Sequence, residues 1–72
     1  MKIDVECVDR NGTSAEVTID LDYVSDADEA RVWLENELYT WSLKNKTSFD
    51  TIDFVVPKWD DIIKEIEREG EG

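Results

Sequence analysis

The stretch Ser25–Trp41, SDADEARVWLENELYTW, is the longest segment of the chain with helical periodicity. Its apolar residues recur every three or four positions, which predicts an amphipathic helix against which the rest of the chain packs. Ser25 is predicted to cap the amino end of this helix, where the positive end of the helix dipole favours the acidic residues that follow. The predicted apolar stripe consists of Ala27, Ala30, Trp33, Leu34, Leu38 and Trp41. The rest of the helix surface is rich in carboxylates.

Two alternating stretches precede the helix and predict a β-hairpin. In Lys2–Asp9 and Ser14–Leu21, apolar residues alternate with polar ones, as in strands with one buried face. A two-residue turn at Asn11-Gly12 would pair apolar with polar residues, whereas a three-residue loop with a left-handed Gly12 matches the apolar faces. The predicted register sets Ile3 opposite Ile19, Val5 opposite Val17 and Cys7 opposite Ala15. On the outer face it sets Glu6 opposite Glu16 and Asp4 opposite Thr18.

A third strand and a second helix complete the pattern. Phe49–Val56 is predicted as a strand with Ile52, Phe54 and Val56 on one face. Pro57 ends the strand and suits the first position of a helix. The stripe of this second helix has the spacing i, i+3, i+4 and i+7 and consists of Trp59, Ile62, Ile63 and Ile66.

The element order ββαβα predicts an α+β fold of two layers, in which residues 1–72 form a single domain. A right-handed crossover places the third strand beside the first, giving a three-stranded antiparallel sheet of order 2-1-3 with both helices on one face. The other face is left to solvent or to a partner, with Val8 and Val55 exposed on it. Nothing in the sequence caps the outer edges of the second and third strands. A homodimer through an edge or through the open face is therefore a further expectation.

The net charge is the most unusual property of the composition. Nineteen acidic residues against eight basic ones give a net charge of −11, without any histidine, and residues 16–37 carry eight of the acidic residues. Such a chain is expected to avoid nucleic acid and anionic membranes and to attract basic partners in a salt-dependent way. One cysteine excludes an intramolecular disulfide, and no apolar run approaches the length of a membrane span. These features predict a cytoplasmic protein.

The usual components of catalytic and metal sites are missing from the sequence. A calcium loop started at Asp20 would have Val24, Ser25 and Arg31 at three of its diagnostic positions, so a capped helix start explains the carboxylates there better. Asp60 and Asp61 fall in a first helical turn, where acidic residues are expected. Cys7 lies on the apolar side of a strand with no histidine to activate it, and is predicted to be a buried structural thiol. We therefore expect no enzymatic activity, cofactor or metal.

The carboxylates themselves are the predicted binding groups. Those three or four residues apart on a helix lie about 5–6 Å apart, and those two apart on a strand about 6.5 Å apart. These distances are comparable with the charge spacing of nucleic acid, which has one phosphate per roughly 3.4 Å of axis on each strand. One predicted row lies on the outer sheet face and others lie on the two helices. The predicted partner-binding residues are Asp4, Glu6, Glu16, Asp20, Asp22, Asp26, Asp28, Glu29, Glu35, Asp61, Glu65 and Glu69.

In size, charge and aromatic content the whole chain resembles the small acidic DNA-mimic proteins, many of them phage-encoded. Proteins of this class inhibit the histone-like nucleoid protein HU, uracil-DNA glycosylase or CRISPR nucleases. The resemblance includes no family motif, so it assigns no role to any single residue. It implies a non-enzymatic viral inhibitor that occludes the DNA-binding surface of a basic protein in the host cytoplasm. An HU-like protein is the favoured partner, because its saddle of basic arms requires only a compact anionic body.

Two other functions fit the same sequence. One is a protein–protein adaptor that pairs through a sheet edge or an exposed tryptophan, for which Trp33 is favoured because it lies off the centre of its stripe. The other is an ordinary small domain with a solvated acidic surface, as in a salt-adapted cytosol. Five lysines count against the second function. Neutralisation of acidic rows would weaken a mimic, whereas changes at Trp33 or at an edge strand would weaken an adaptor.

Overall fold

A computed structural model describes the backbone of residues 1–71 and the side chains of residues 1–68. The elements follow the predicted order ββαβα and form a three-stranded antiparallel sheet of order β2-β1-β3 with two helices. The strands are β1 (Lys2–Asp9), β2 (Ser14–Asp20) and β3 (Phe54–Val55), and the helices are α1 (Ala27–Asn45) and α2 (Trp59–Glu71). A single 3-10 turn, Leu21–Tyr23, joins β2 to α1. The predicted α+β fold class is confirmed.

The hairpin has the register that the alternating pattern predicts. Ile3, Val5 and Cys7 of β1 lie opposite Ile19, Val17 and Ala15, and the outer pairs are Glu6 with Glu16 and Asp4 with Thr18. Gly12 has a φ of 85°, a left-handed conformation that glycine adopts without the penalty of a Cβ. The longer loop with Gly12 in this conformation is therefore confirmed.

The core lies on one face of the sheet, beneath both helices. Val5, Cys7 and Ile19 of the sheet pack with Leu34 of α1 and Ile62 of α2 in one buried cluster. Ala30 and Leu38 of the predicted stripe are also fully buried, while Ala27, Trp33 and Trp41 are only partly buried. Full burial of a Leu, Val or Ile side chain contributes on the order of 1.5–3 kcal/mol each, which makes this cluster the main source of stability.

The amino end of α1 differs from the prediction by one residue. Asp26, and not Ser25, is the N-cap, and its carboxylate accepts the N–H of Glu29 at 2.8 Å. The Ser25 hydroxyl donates to the Glu29 carboxylate at 2.5 Å. Asp26 caps better in this geometry because its carboxylate is charged and reaches an amide that has no partner within the helix.

Beyond its buried stripe, α1 carries a second apolar stripe that the sequence analysis did not predict. Val32, Tyr39 and Leu43 are exposed on the opposite side of the helix. Because they are seven and four residues apart, a rotation of about 100° per residue places them on one face. The outward surface of α1 therefore carries an apolar stripe as well as the predicted carboxylates.

The predicted third strand is much shorter than expected. Only Phe54 and Val55 form β3, pairing with Asp9 and Val8. The Asp50 carboxylate accepts the N–H groups of Ile52 and Asp53, both at 3.0 Å, and so bends the chain before the strand begins. The Ile52 side chain is 84% exposed rather than on the buried face of a strand.

Asp9 holds this bent segment against the hairpin. Its side chain is 5% exposed, and one carboxylate oxygen accepts the N–H groups of Asn11 and Thr13, both at 2.9 Å. The other oxygen accepts the N–H of Asp50 at 3.1 Å. One buried carboxylate thereby joins the turn of the β1–β2 hairpin to the segment that leads into β3.

Arg31 supports the same segment from α1. Its guanidinium group lies over the ring of Phe54, 3.8 Å from the centroid, and donates to the carbonyl groups of Ile52 and Phe54. It also pairs with Glu35 on the same helix at 3.6 Å.

In the part of the chain that the structure describes, no helix combines the length and apolar character that a membrane span requires.

Candidate functional site

The short β3 leaves one edge of β1 open. β1 pairs with β2 along almost its whole length, but on its other side β3 pairs only with Val8 and Asp9. The ladder cannot continue far along the chain, because Pro57 has no N–H to donate to β1. Among the residues that the structure describes, none pairs as a strand with this edge over Lys2–Glu6.

Two hydrogen bonds reveal which main-chain groups face the open edge. Asp9 donates its N–H to the carbonyl of Thr13, on the β2 side, at 3.0 Å, and Arg10 donates to the carbonyl of Asp53, on the β3 side, at 3.2 Å. Successive residues of a strand present their N–H and C=O groups to opposite edges. The residues of the open stretch that present these groups to the open edge are therefore Lys2, Asp4 and Glu6.

A groove of about 370 Å³ lies along this open edge, between β1 and the first turns of α2. We call it the acidic groove. Its apolar lining is formed by Ile3, Val5, Val56, Pro57 and Ile62, and its charged lining by Asp4, Glu6, Glu16, Asp61, Glu65 and Lys58. Five carboxylates against one ammonium group give the groove a formal charge of −4. The groove therefore combines an apolar floor with strongly acidic walls.

Most of these carboxylates have no cationic partner. Glu65 pairs with Arg68, and Asp4 accepts the hydroxyl of Thr18 at 2.9 Å. Within the described side chains, no Lys or Arg nitrogen lies within 4.0 Å of the other three groove carboxylates, those of Glu6, Glu16 and Asp61. A cationic partner can therefore pair with them without breaking an ion pair of the fold.

Glu6 and Glu16 form a like-charge pair. They lie directly opposite each other in the β1–β2 ladder. The direction of their main-chain groups makes this a non-hydrogen-bonded pair, in which Cα atoms are only about 4.5 Å apart and side chains are close. Like charges opposite each other destabilise a sheet, and a cation bound between them removes this cost. Repulsion between Glu6 and Glu16 thus favours the binding of a positively charged partner in the groove.

Five of the predicted acidic residues lie around the groove and six lie elsewhere. The groove unites the predicted outer-sheet row, Asp4, Glu6 and Glu16, with Asp61 and Glu65 of α2, which the sequence analysis treated as separate rows. Glu69 belongs to the predicted α2 row but lies outside the described side chains. The residues that lie away from the groove are Asp20, Asp22, Asp26, Asp28, Glu29 and Glu35.

Local structure accounts for most of those six. Asp20 accepts the N–H of Asp22 at 3.1 Å, and both carboxylates lie within 4.0 Å of the terminal amino group of Met1. Asp26 and Glu29 form the cap of α1, and Glu35 pairs with Arg31, as described above. Asp28 is exposed in the first turn of α1.

Trp33 serves the fold more than it offers a contact surface. Its indole N–H donates to the carbonyl of Thr18 at 3.2 Å, and its ring stacks on Tyr23 with centroids 6.2 Å apart. Because Thr18 presents this carbonyl to the outer edge of β2, Trp33 covers part of that edge, which was predicted to be uncapped. A shallow depression beside Trp33 is lined also by Asp28, Glu29 and Val32.

Cys7 has the setting of a structural thiol. It is fully buried in the core, as predicted. Burial raises the pKa of the Cys7 thiol from 9.0 to about 11, while the Arg31 charge lowers it and the Glu6 charge raises it to smaller extents. A buried thiol with this pKa is protonated at neutral pH and is a poor nucleophile.

Within the described residues, no three His, Cys, Asp or Glu side chains are arranged to hold a metal ion.

Val56, Pro57 and Lys58 are groove residues that the sequence analysis did not identify. The sequence pattern predicts a full-length third strand, which would cover the edge of β1. Two sequence signals could have indicated otherwise: Asp50, whose short side chain can accept the N–H groups of the residues that follow and so close a turn, and a proline next to the strand. Of the described residues that line the groove, Lys58 is the only basic one.

Comparisons with known proteins add no family to this description. No protein-family model, no curated protein and no solved structure matches the chain.

Proposed function

We propose that this protein is a non-enzymatic inhibitor that occludes the DNA-binding surface of a basic DNA-binding protein, acting as a DNA mimic. An HU-like nucleoid protein is the favoured partner. The observation that carries the proposal is the acidic groove, in which carboxylates from a strand and from a helix flank one cleft. The proposed site of action is the cytoplasm, where such a partner meets DNA. The proposal involves no cofactor and no direct binding to nucleic acid.

The mechanism follows from electrostatics. A protein that binds DNA presents lysine and arginine side chains to phosphates, and carboxylates at comparable spacing attract the same side chains. The net charge of −11 steers such a partner towards the inhibitor over a distance set by the ionic strength. Once bound, the inhibitor excludes DNA sterically and by charge, so no chemical step is required.

A competition assay tests this proposal. Labelled duplex DNA bound to HU is titrated with the protein at low and at physiological salt. We expect displacement of the DNA that weakens steeply as salt rises, because ion pairs between the two proteins are screened. Absence of displacement at either salt would exclude HU, and the same result with a panel of other basic DNA-binding proteins would overturn mimicry.

Matched charge variants localise the binding surface. The groove variant Glu6→Gln/Glu16→Gln/Asp61→Asn removes three carboxylates without an ion pair, and is expected to need at least about tenfold more protein for the same displacement. The control variant Asp28→Asn/Glu37→Gln/Asp53→Asn removes three carboxylates away from the groove. Equal losses for the two variants would mean that total charge, and not the groove, determines binding.

A second candidate function is a protein–protein adaptor that pairs through a sheet edge. The open edge of β1 over Lys2–Glu6 favours it, because unpaired main-chain groups are a template for another strand. The engagement of the Trp33 indole with Thr18 argues against that tryptophan as the anchor. Binding by such an adaptor would persist when groove carboxylates are neutralised and would depend little on salt.

A further inference from the structure

We infer that the acidic groove binds its partner by strand addition: an extended basic segment pairs antiparallel with β1 over Lys2–Glu6 and becomes a fourth strand of the sheet. This inference rests on the proposed function and identifies the part of the basic partner that the groove takes. The segment continues the line of β3 on the same side of β1. The three observations that support it are the unpaired edge, the apolar floor and the acidic walls of one groove.

The open edge sets the length of the segment. The stretch Lys2–Glu6 has room for about five residues, or roughly 17 Å at about 3.3 Å per residue. Asp4 and Glu6 present their N–H and C=O groups to this edge, so two paired positions of an added strand can each form two hydrogen bonds. Main-chain pairing of this kind supplies affinity, while the side chains supply specificity.

The alternation of side chains along β1 sets the sequence of the segment. Residues of the added strand opposite Asp4 and Glu6 project to the outer face, beside those carboxylates, where lysine or arginine is favoured. Residues opposite Ile3 and Val5 project towards the apolar floor, where a β-branched residue is favoured. The segment that fits therefore alternates basic and apolar residues. Asp61 and Glu65 on the α2 wall add to the negative potential around the groove.

Charge selects a basic partner over a second copy of this chain. Antiparallel pairing of two β1 edges over Lys2–Glu6 would set Asp4 opposite Asp4, which is unfavourable, and Lys2 opposite Glu6, which is favourable, while the net charge of −11 on each copy repels the two copies as wholes. Among the described residues that line the groove, Lys58 is the one that repels a basic segment, and Lys2 does so at the end of the open edge. Neutralisation of Lys58 is therefore expected to strengthen binding. The substitution changes the net charge of the protein by only one unit.

A capped peptide, Lys-Val-Lys-Val-Ser, is the probe that tests strand addition. In the antiparallel register its first residue lies opposite Glu6 and its last opposite Lys2. An NMR titration of the full chain with this peptide reports binding through the amide signals of Asp4 and Glu6. We expect these signals to shift, and the two amides to exchange more slowly with solvent because they become hydrogen-bonded.

Two backbone-methylated peptides separate main-chain pairing from charge attraction. N-methylation of both lysines removes the N–H groups that face β1, and is expected to weaken binding at least about tenfold. N-methylation of both valines removes N–H groups that face away, and leaves charge and side chains the same. This second peptide is expected to bind at close to the affinity of the parent. Equal affinities of the two methylated peptides, or no binding of the parent peptide, would overturn the inference.

Two protein variants complete the test. Lys58→Gln is expected to tighten peptide binding severalfold, and Glu6→Gln to weaken it by a similar factor. Weaker binding by Lys58→Gln than by Glu6→Gln would contradict the proposed position of the segment in the groove. Failure of the proposed function has a different signature, in which the protein binds the peptide with the expected sensitivity to lysine methylation but does not displace DNA from HU.

Discussion

At the scale of single residues, Asp9 contributes most to the shape of the site. Burial acts to raise the pKa of its carboxyl group, but N–H donors from Asp50, Thr13 and Asn11, together with the Arg10 charge, lower it, and the balance lies below the ordinary value of 3.8. Three hydrogen bonds to the ionised form explain the direction. Asp9 therefore stabilises the fold as an anion and positions the bend that precedes β3.

The substitution Asp9→Asn tests this role through its pH dependence. A lowered pKa in the folded state means that the carboxylate stabilises the fold fully above its unfolded pKa, and that this stability is lost as the pH falls through the folded pKa. The wild type is therefore expected to be more stable than Asp9→Asn at neutral pH. The difference in free energy of unfolding should shrink as the pH falls below 3.8.

Urea denaturation followed by circular dichroism over a pH series measures the difference. Asp53→Asn is the matched control, because in the described structure the Asp53 carboxylate makes no hydrogen bond or ion pair and is exposed. It is expected to change stability by no more than about 0.5 kcal/mol. A difference between wild type and Asp9→Asn that stays constant from neutral to acidic pH would mean that the Asp9 charge is not what stabilises the bend.

At the scale of elements, the carboxyl end of α1 shows a helix stop without glycine. Lys46 has a φ of 54°, and Thr47 and Lys46 donate their N–H groups to the carbonyls of Ser42 and Leu43. This is the hydrogen-bond pattern of a Schellman motif, whose left-handed position strains any residue with a Cβ. Lys46→Gly is therefore expected to stabilise the protein by about 0.5–1 kcal/mol.

Lys44→Gly provides the matched control for this prediction. It removes the same charge near the same helix end, but from a position with helical backbone, where glycine costs about 1 kcal/mol. The two glycine variants should therefore shift the thermal unfolding midpoint in opposite directions. A destabilised Lys46→Gly variant would show that the charge of Lys46 at the helix end outweighs its backbone strain.

The elements also show which parts of the fold could be predicted from the sequence. The hairpin register follows from alternation, because a slip of one residue would expose a whole face, and the buried stripe of α1 follows from its spacing. The length of β3 does not follow from alternation, because the Asp50 side chain competes for the amides of Ile52 and Asp53. The open edge of β1, and hence the groove, depends on that competition.

The sequence predicts the acidic residues of the candidate site as binding groups, but it does not predict that they surround one groove. Asp4, Glu6 and Glu16 were placed on one face by the strand pattern, as the register of the hairpin requires. Their proximity to Asp61 and Glu65 depends on where α2 begins, which is two residues after Pro57. The spacing of apolar residues in the sequence does not determine how α2 is placed against the sheet. Tertiary placement of a helix against an open edge is a property of the folded chain only.

At the scale of the whole molecule, two surfaces respond to salt in opposite directions. The acidic groove attracts basic groups, so its binding weakens as salt screens the charges. The exposed stripe of α1, Val32, Tyr39 and Leu43, is apolar, but two copies that carry a net charge of −11 each repel one another. Salt removes this repulsion and leaves the apolar attraction, so self-association is expected to increase with salt.

Light scattering at a fixed high protein concentration measures this self-association over a range of salt. We expect a monomer at low salt and a rising average mass as salt increases, and Leu43→Gln should suppress the rise because it removes apolar area from the stripe. Ile52→Gln is the matched control, since Ile52 is still more exposed but lies away from α1. A dimer already present at low salt and indifferent to salt would instead point to pairing through a strand edge. Such a dimer would occupy the main-chain groups that a basic segment requires, so the two forms of association would exclude each other at the groove.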